Sequence, residues 1–148
     1  MDGSHKITIN KDVLYEYTFT RARTLKLVKN LTPEDMVIQT NEYVSPTKWH
    51  LGHTSWFFEK FILLPNLKGY KIFHENFNFV FNSYYNSVGC FNKRDKRGFL
   101  NRPSFEEVLN YRNYIDENIN LLFKNNVNNS LKFLLALGVN HEQQHQEL

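Results

Sequence analysis

The chain has 148 residues and a net charge of +3, the length of one domain and too even a balance to point to nucleic acid. Aromatic residues reach 16%, which argues against wholesale disorder, and the one cysteine, Cys90, excludes an intrachain disulfide framework or a Cys-rich zinc module. No apolar run approaches the ~20 residues of a membrane span, and Met1 to Asp12 has no signal-peptide core, so a cytoplasmic chain is expected.

Periodicity predicts a first helix from about Lys11 to Lys29, with Val13, Tyr17, Leu25 and Val28 among its apolar positions. Thr32-Pro33-Glu34-Asp35 carries the marks of a short helix start: a capping hydroxyl, proline at the first helical position and acids in the first turn. Ser45-Pro46 opens the next helix in the same way, through Trp49, His53, Trp56 and Phe57 to about Leu64. From Pro65 to Arg102 the pattern dissolves into a long stretch whose aromatics favour an ordered loop packed on the rest. Ser104 and Glu107 are spaced as a capping box for a helix through Val108, Tyr111, Ile115, Ile119 and Leu122. A last helix begins near Ser130 and is still running at Leu148. Amphipathic helices without alternating β patterns predict an all-α, antiparallel four-helix bundle, with the long loop between its second and third helices.

The informative pair among the histidines is His141 and His145, one turn apart on one helical face with Leu131, Leu134, Leu137, Gly138 and Leu148. Two imidazoles at that spacing can share one metal ion. The bland alternative is a pair of core histidines hydrogen-bonded to neighbours. Gly138, one turn earlier, leaves room for a bound group or a close helix. Glu142 and Gln144 flank the imidazole face, and either could reach a group at the metal. His-Glu-Gln-Gln-His also fits the H-E-x-x-H pattern of zinc peptidases with Glu142 as base, but only three residues follow to supply a third ligand. Trp49-His50-Leu51-Gly52-His53 is a second source of imidazole, with His53 on the apolar face and His50 nearer its edge. Three neutral imidazoles on two helices would suit Fe(II) or Zn(II) and leave positions open.

Several segments together resemble one family. Ser45-Pro46-Thr47-Lys48-Trp49-His50-Leu51-Gly52-His53-Thr54-Ser55-Trp56, Phe81-Asn82-Ser83-Tyr84-Tyr85, Arg102-Pro103-Ser104 and Leu137-Gly138-Val139-Asn140-His141-Glu142-Gln143-Gln144-His145 are similar, in order, to signatures of the ergothioneine-type sulfoxide synthases. The resemblance implies a DinB-like four-helix bundle holding one non-haem Fe(II) through His53, His141 and His145. It implies coupling of the thiol of cysteine or γ-glutamylcysteine to a histidine betaine, trimethylhistidine, with dioxygen. Arg94 and Arg97 match the family's arginine pair for the thiol substrate's carboxylate; without the family they read as a solvated basic stretch. Gln144 matches a glutamine near the histidine-derived substrate.

Full-length members carry a C-terminal domain, related to formylglycine-generating enzymes, that supplies a catalytic tyrosine. This chain ends at Leu148, so the resemblance sets up the expectation of a truncated or split enzyme, inactive alone. Tyr84 and Tyr85 are its own nearest hydroxyl candidates. Two other classes share the three-histidine pattern: a DinB-like metal-dependent thiol transferase or hydrolase, and a non-catalytic metal-binding module.

Overall fold

Three of the four long helices start where a side chain satisfies a free backbone amide. In the computed structural model, which describes residues 12–83, 89–125 and 127–148, the Asp12 carboxylate accepts the Leu14 amide at the start of α1 (Val13–Val28). Ser104 and Glu107 form the expected capping box at α5 (Phe105–Phe123), and Asn128 caps α6 (Asn129–Glu147). α2 (Thr47–Phe58) begins differently. The Pro46 carbonyl accepts the Trp49 amide, while the Ser45 hydroxyl, expected as the cap, instead accepts a hydrogen bond from Arg97. A π-helical turn (Glu59–Leu63) and the short α3 (Leu64–Asn66) continue α2. Thr32 to Asp35 leads only into a 3₁₀ turn, Asp35–Val37.

Among its described residues, the long stretch after α3 contains two small elements that periodicity did not reveal. They are α4 (Phe77–Phe81) and a 3₁₀ turn (Arg94–Phe99), each too short to show a repeat. His5, Tyr84 and Tyr85 lie outside the described residues.

α1 packs on α6, α6 on α2, α2 on α5 and α5 on α1, closing a ring of four helices. Phe58, His53 and His50 of α2 meet Gly138, His141 and His145 of α6 in turn, so these two helices run antiparallel. α2 is buried almost all round, from Lys48 through Phe58 apart from His50, which explains why no single apolar stripe stands out in it. Among the described residues no helix is long and apolar enough to cross a membrane.

Two glycines in this core are close-approach positions. A Cβ at Gly138 would sit 2.3 Å from the Phe58 ring, so its missing side chain admits the neighbouring helix rather than a ligand. A Cβ at Gly52 would sit 2.1 Å from the Phe81 ring. The face of α6 turned inward is Leu131, Leu135, Gly138, Val139 and Glu142. Leu137 and Leu148, expected on that face, are exposed, because the stripe is rotated toward Glu142 and leaves the imidazoles at its edge.

The reason for that rotation is charge. Glu142 is fully buried, with the Arg112 Nη2 at 2.8 Å, the Arg21 Nη1 at 3.1 Å and the Thr24 hydroxyl at 2.6 Å. Arg21 also reaches Ser55 and Asp116, and Arg112 donates to the Leu51 carbonyl and Thr54. Glu142→Ala strips the buried Arg112 guanidinium of its carboxylate and should cost about 3–5 kcal/mol. A urea-unfolding midpoint unchanged from wild type would contradict that.

Candidate functional site

The three expected ligands come together. His53 of α2 and His141 and His145 of α6 place one ligand-capable nitrogen each within 4.8 Å of the others. The Nε2 atoms of His53 and His141 are 3.2 Å apart. Two nitrogens on one ion, with bonds of ~2.1 Å at right or tetrahedral angles, stand about 3.0–3.4 Å apart. The His53 Nδ1–H donates to the Phe81 carbonyl at 2.6 Å, which leaves its Nε2 lone pair aimed at the cup. Gly52 is what lets Phe81 approach closely enough for that bond. The donor set and spacing therefore fit a mononuclear metal ion.

The walls of the cup are aromatic. His53 is stacked on Trp49, with ring centroids 4.4 Å apart, and on Trp56 at 5.5 Å; His141 is stacked on Phe57 at 4.4 Å. Burial in these surroundings disfavours a charged imidazole. It depresses His141 and His145 to about 4, with the neighbouring His145 adding to the effect on His141 and Arg97 to that on His145. His53 is likewise held well below its ordinary value by burial and by both partner histidines. All three are neutral at pH 7, the state a metal ligand requires.

The cup opens into a pocket of about 280 Å³ whose walls also include Tyr43, Ser45, Ser83, Arg94 and Arg97. In the basic stretch Lys93, Asp95 and Lys96 are exposed, but Arg97 is not. Arg97 is 4% exposed, lies 3.5 Å over the Trp49 ring and donates from Nη1 to the Ser45 hydroxyl at 2.7 Å. Gln39 pins the same turn to the crossover between α1 and α2. Its amide nitrogen donates to the Arg94 and Val44 carbonyls, and its oxygen accepts the Gly98 amide.

Other expected residues fall elsewhere. Glu142 does not face the cup; its carboxylate is turned into the bundle and held down to about 2, against the effect of burial, by Arg21 and Arg112. It cannot serve as the base of an H-E-x-x-H peptidase while it neutralises two buried guanidinium groups. Gln144 is exposed on α6 and is not among the pocket's lining residues. Sequence reasoning gave no site role to Gln39 or the Phe81 carbonyl and read Ser45 only as a helix cap, because their contacts at the site are with backbone or through a hydroxyl and leave no pattern in the sequence. It also left His50 aside, although His50 lines the pocket with its Nδ1 2.8 Å from that of His145.

These depressed imidazoles make stability depend on pH in a defined window. Unfolded histidines protonate near 6.5, whereas folded His141 and His145 do so only near 4. Between those values the unfolded chain binds more protons, so stability falls as the pH falls from about 6.5 toward 4. Glu142 contributes stability that is lost only at lower pH, from 4.5 toward 2. Urea midpoints measured in chelator should drop between pH 7 and 5, and a flat profile would count against neutral, buried imidazoles.

No curated protein gives a significant match to the chain. Comparison with protein families matches residues 16–148 to the DinB superfamily. With nearly the whole chain matched, and a three-histidine cup held between two helices of a helical bundle, this protein belongs to the DinB superfamily.

Proposed function

We propose that this domain is the iron-binding part of an ergothioneine-type sulfoxide synthase. In this reading His53, His141 and His145 hold one Fe(II), and Arg94 and Arg97 receive the carboxylate of a small thiol, cysteine or γ-glutamylcysteine. The thiol sulfur is joined to the imidazole carbon of trimethylhistidine with dioxygen. The observation that carries the reading is the meeting of these two groups in one pocket. The long loop brings an arginine pair, remote in sequence from His53, His141 and His145, to the mouth of the three-histidine cup.

The residues suit that division of labour. A guanidinium presents two parallel donors to a carboxylate, and Arg97 is held in place by Trp49 and Ser45 before any substrate arrives. The aromatic walls keep the imidazoles neutral and limit water at the cup. An iron ion bound there would supply open positions for thiolate and dioxygen. Gln144 and the second, tyrosine-bearing domain enter this reading through the family resemblance alone. A DinB thiol transferase or hydrolase would use the same cup with zinc and consume no oxygen, so the metal that the purified chain selects separates the two.

Anaerobic titration should load one Fe(II) per chain, and His53→Ala, His141→Ala or His145→Ala should each sharply lower iron content. Full occupancy in His53→Ala would sink the ligand assignment. Arg97→Ala should keep iron while weakening γ-glutamylcysteine binding by about 1.5–3 kcal/mol, the worth of a hydrogen bond to a charged group. Unchanged thiol affinity in a folded Arg97→Ala chain would overturn the carboxylate role. A purified chain that holds zinc in preference to Fe(II) and turns over a thiol substrate without oxygen would favour the transferase or hydrolase.

A further inference from the structure

We propose that His50 is a positioning residue for the metal centre, its Nδ1 accepting the Nδ1–H of His145 so that the His145 Nε2 lone pair is presented to the ion. The inference rests on the three-histidine metal site described above but on no particular metal.

The argument starts from the 2.8 Å between the two Nδ1 atoms. Ring nitrogens that close cannot both carry hydrogen, and two bare lone pairs would repel; one donates to the other. A neutral imidazole carries a single N–H, so a ligand that binds through one nitrogen needs an acceptor for the hydrogen on the other. His53 shows the arrangement unambiguously, because its Nδ1 faces a carbonyl, Phe81, that can only accept. His145 has no carbonyl in that place. It has His50, one turn before His53 on the same helix. His141 lacks such support altogether: its Nδ1 is buried without a hydrogen-bond partner among the described residues.

His50 is itself restrained. It packs edge-on against Trp49, with centroids 5.5 Å apart at 82°, and the Ser45 backbone is a hydrogen-bond partner of its ring. Ser45 in turn accepts from Arg97 through its hydroxyl. A side chain that looked like the spare histidine of Trp-His-Leu-Gly-His thus fixes the tautomer of a ligand on another helix.

The test compares His50→Leu, which removes the acceptor, with His50→Asn, whose Oδ1 stands near the place of Nδ1 and accepts. Probes are Zn(II) affinity and stoichiometry, and nitrogen-15 NMR of the imidazoles in the zinc-loaded full chain. His50→Leu should weaken zinc about 10–100-fold with one ion still bound, as loss of an outer-shell partner does. His50→Asn should recover most of that affinity. The His145 Nδ1–H signal should be present in wild type and His50→Asn. Wild-type affinity in a folded His50→Leu chain would overturn the proposal. So would an Asn variant as weak as the Leu variant, or cadmium-113 coupling to a His50 nitrogen in a cadmium-loaded chain, which would make His50 a ligand. Should His50→Leu fail to fold, the protonation site of His145 in the wild-type spectrum decides alone. A protein that binds zinc in this manner but takes up no Fe(II) would refute the sulfoxide synthase reading and leave this inference standing.

Discussion

Everything at the metal cup is referred to one buried charge. A carboxylate with no solvent contact is tolerable only when opposite charge and donors surround it. Around Glu142 those donors come from α1, in Arg21 and Thr24, and from α5, in Arg112. The two guanidinium groups then reach α2 at Ser55, Thr54 and the Leu51 carbonyl. All four long helices therefore share one electrostatic knot. Because Glu142 adjoins His141 in the chain, the knot also sets how α6 is turned about its axis. With residue 142 locked inward, residues 141 and 145 are left facing α2, where His53 stands. Apolar packing tolerates small rotations of a helix; a triad of buried charges does not.

The site itself has two electrostatic halves. The cup is aromatic and holds its imidazoles neutral, whereas Arg94 and Arg97 bring positive charge to its rim. The separation matters, since protonated ligands would repel a cation and uncharged rim residues would not attract a carboxylate. The bond from Ser45 to Arg97 shows how the two halves were built together. The hydroxyl that sequence statistics assign to capping α2 is used to fix an arginine 52 positions away, and the helix start makes do with the Pro46 carbonyl.

What could be read from the sequence was what repeats or has fixed spacing. The long helices, the capping box at Ser104 and Glu107, and the i, i+4 pair of His141 and His145 are local, and local rules found them. Helical periodicity set His53 on the apolar face and His50 nearer its edge, and resemblance made His53 the expected ligand; the role expected of Arg94 and Arg97 came from resemblance alone, since no periodicity singles them out. Glu142 was misjudged because a helical wheel gives direction but not neighbours. The two arginines that draw it inward lie 121 and 30 residues away. α4 and the turn carrying Arg97 were missed for a related reason, as their order comes from tertiary contacts such as those of Gln39.

The stacking of His53 between two indoles has an optical consequence. Trp49 and Trp56 are the chain's two tryptophans, and both lie against the His53 imidazole of the cup. Intrinsic tryptophan emission from this protein is therefore a report from the metal cup and not an average over the fold. A paramagnetic, open-shell ion at the cup would quench it at contact range, whereas a closed-shell ion of the same charge would leave most of the intensity. The protein thus carries, in its own core, a dye that would distinguish the electronic character of an ion bound at the cup.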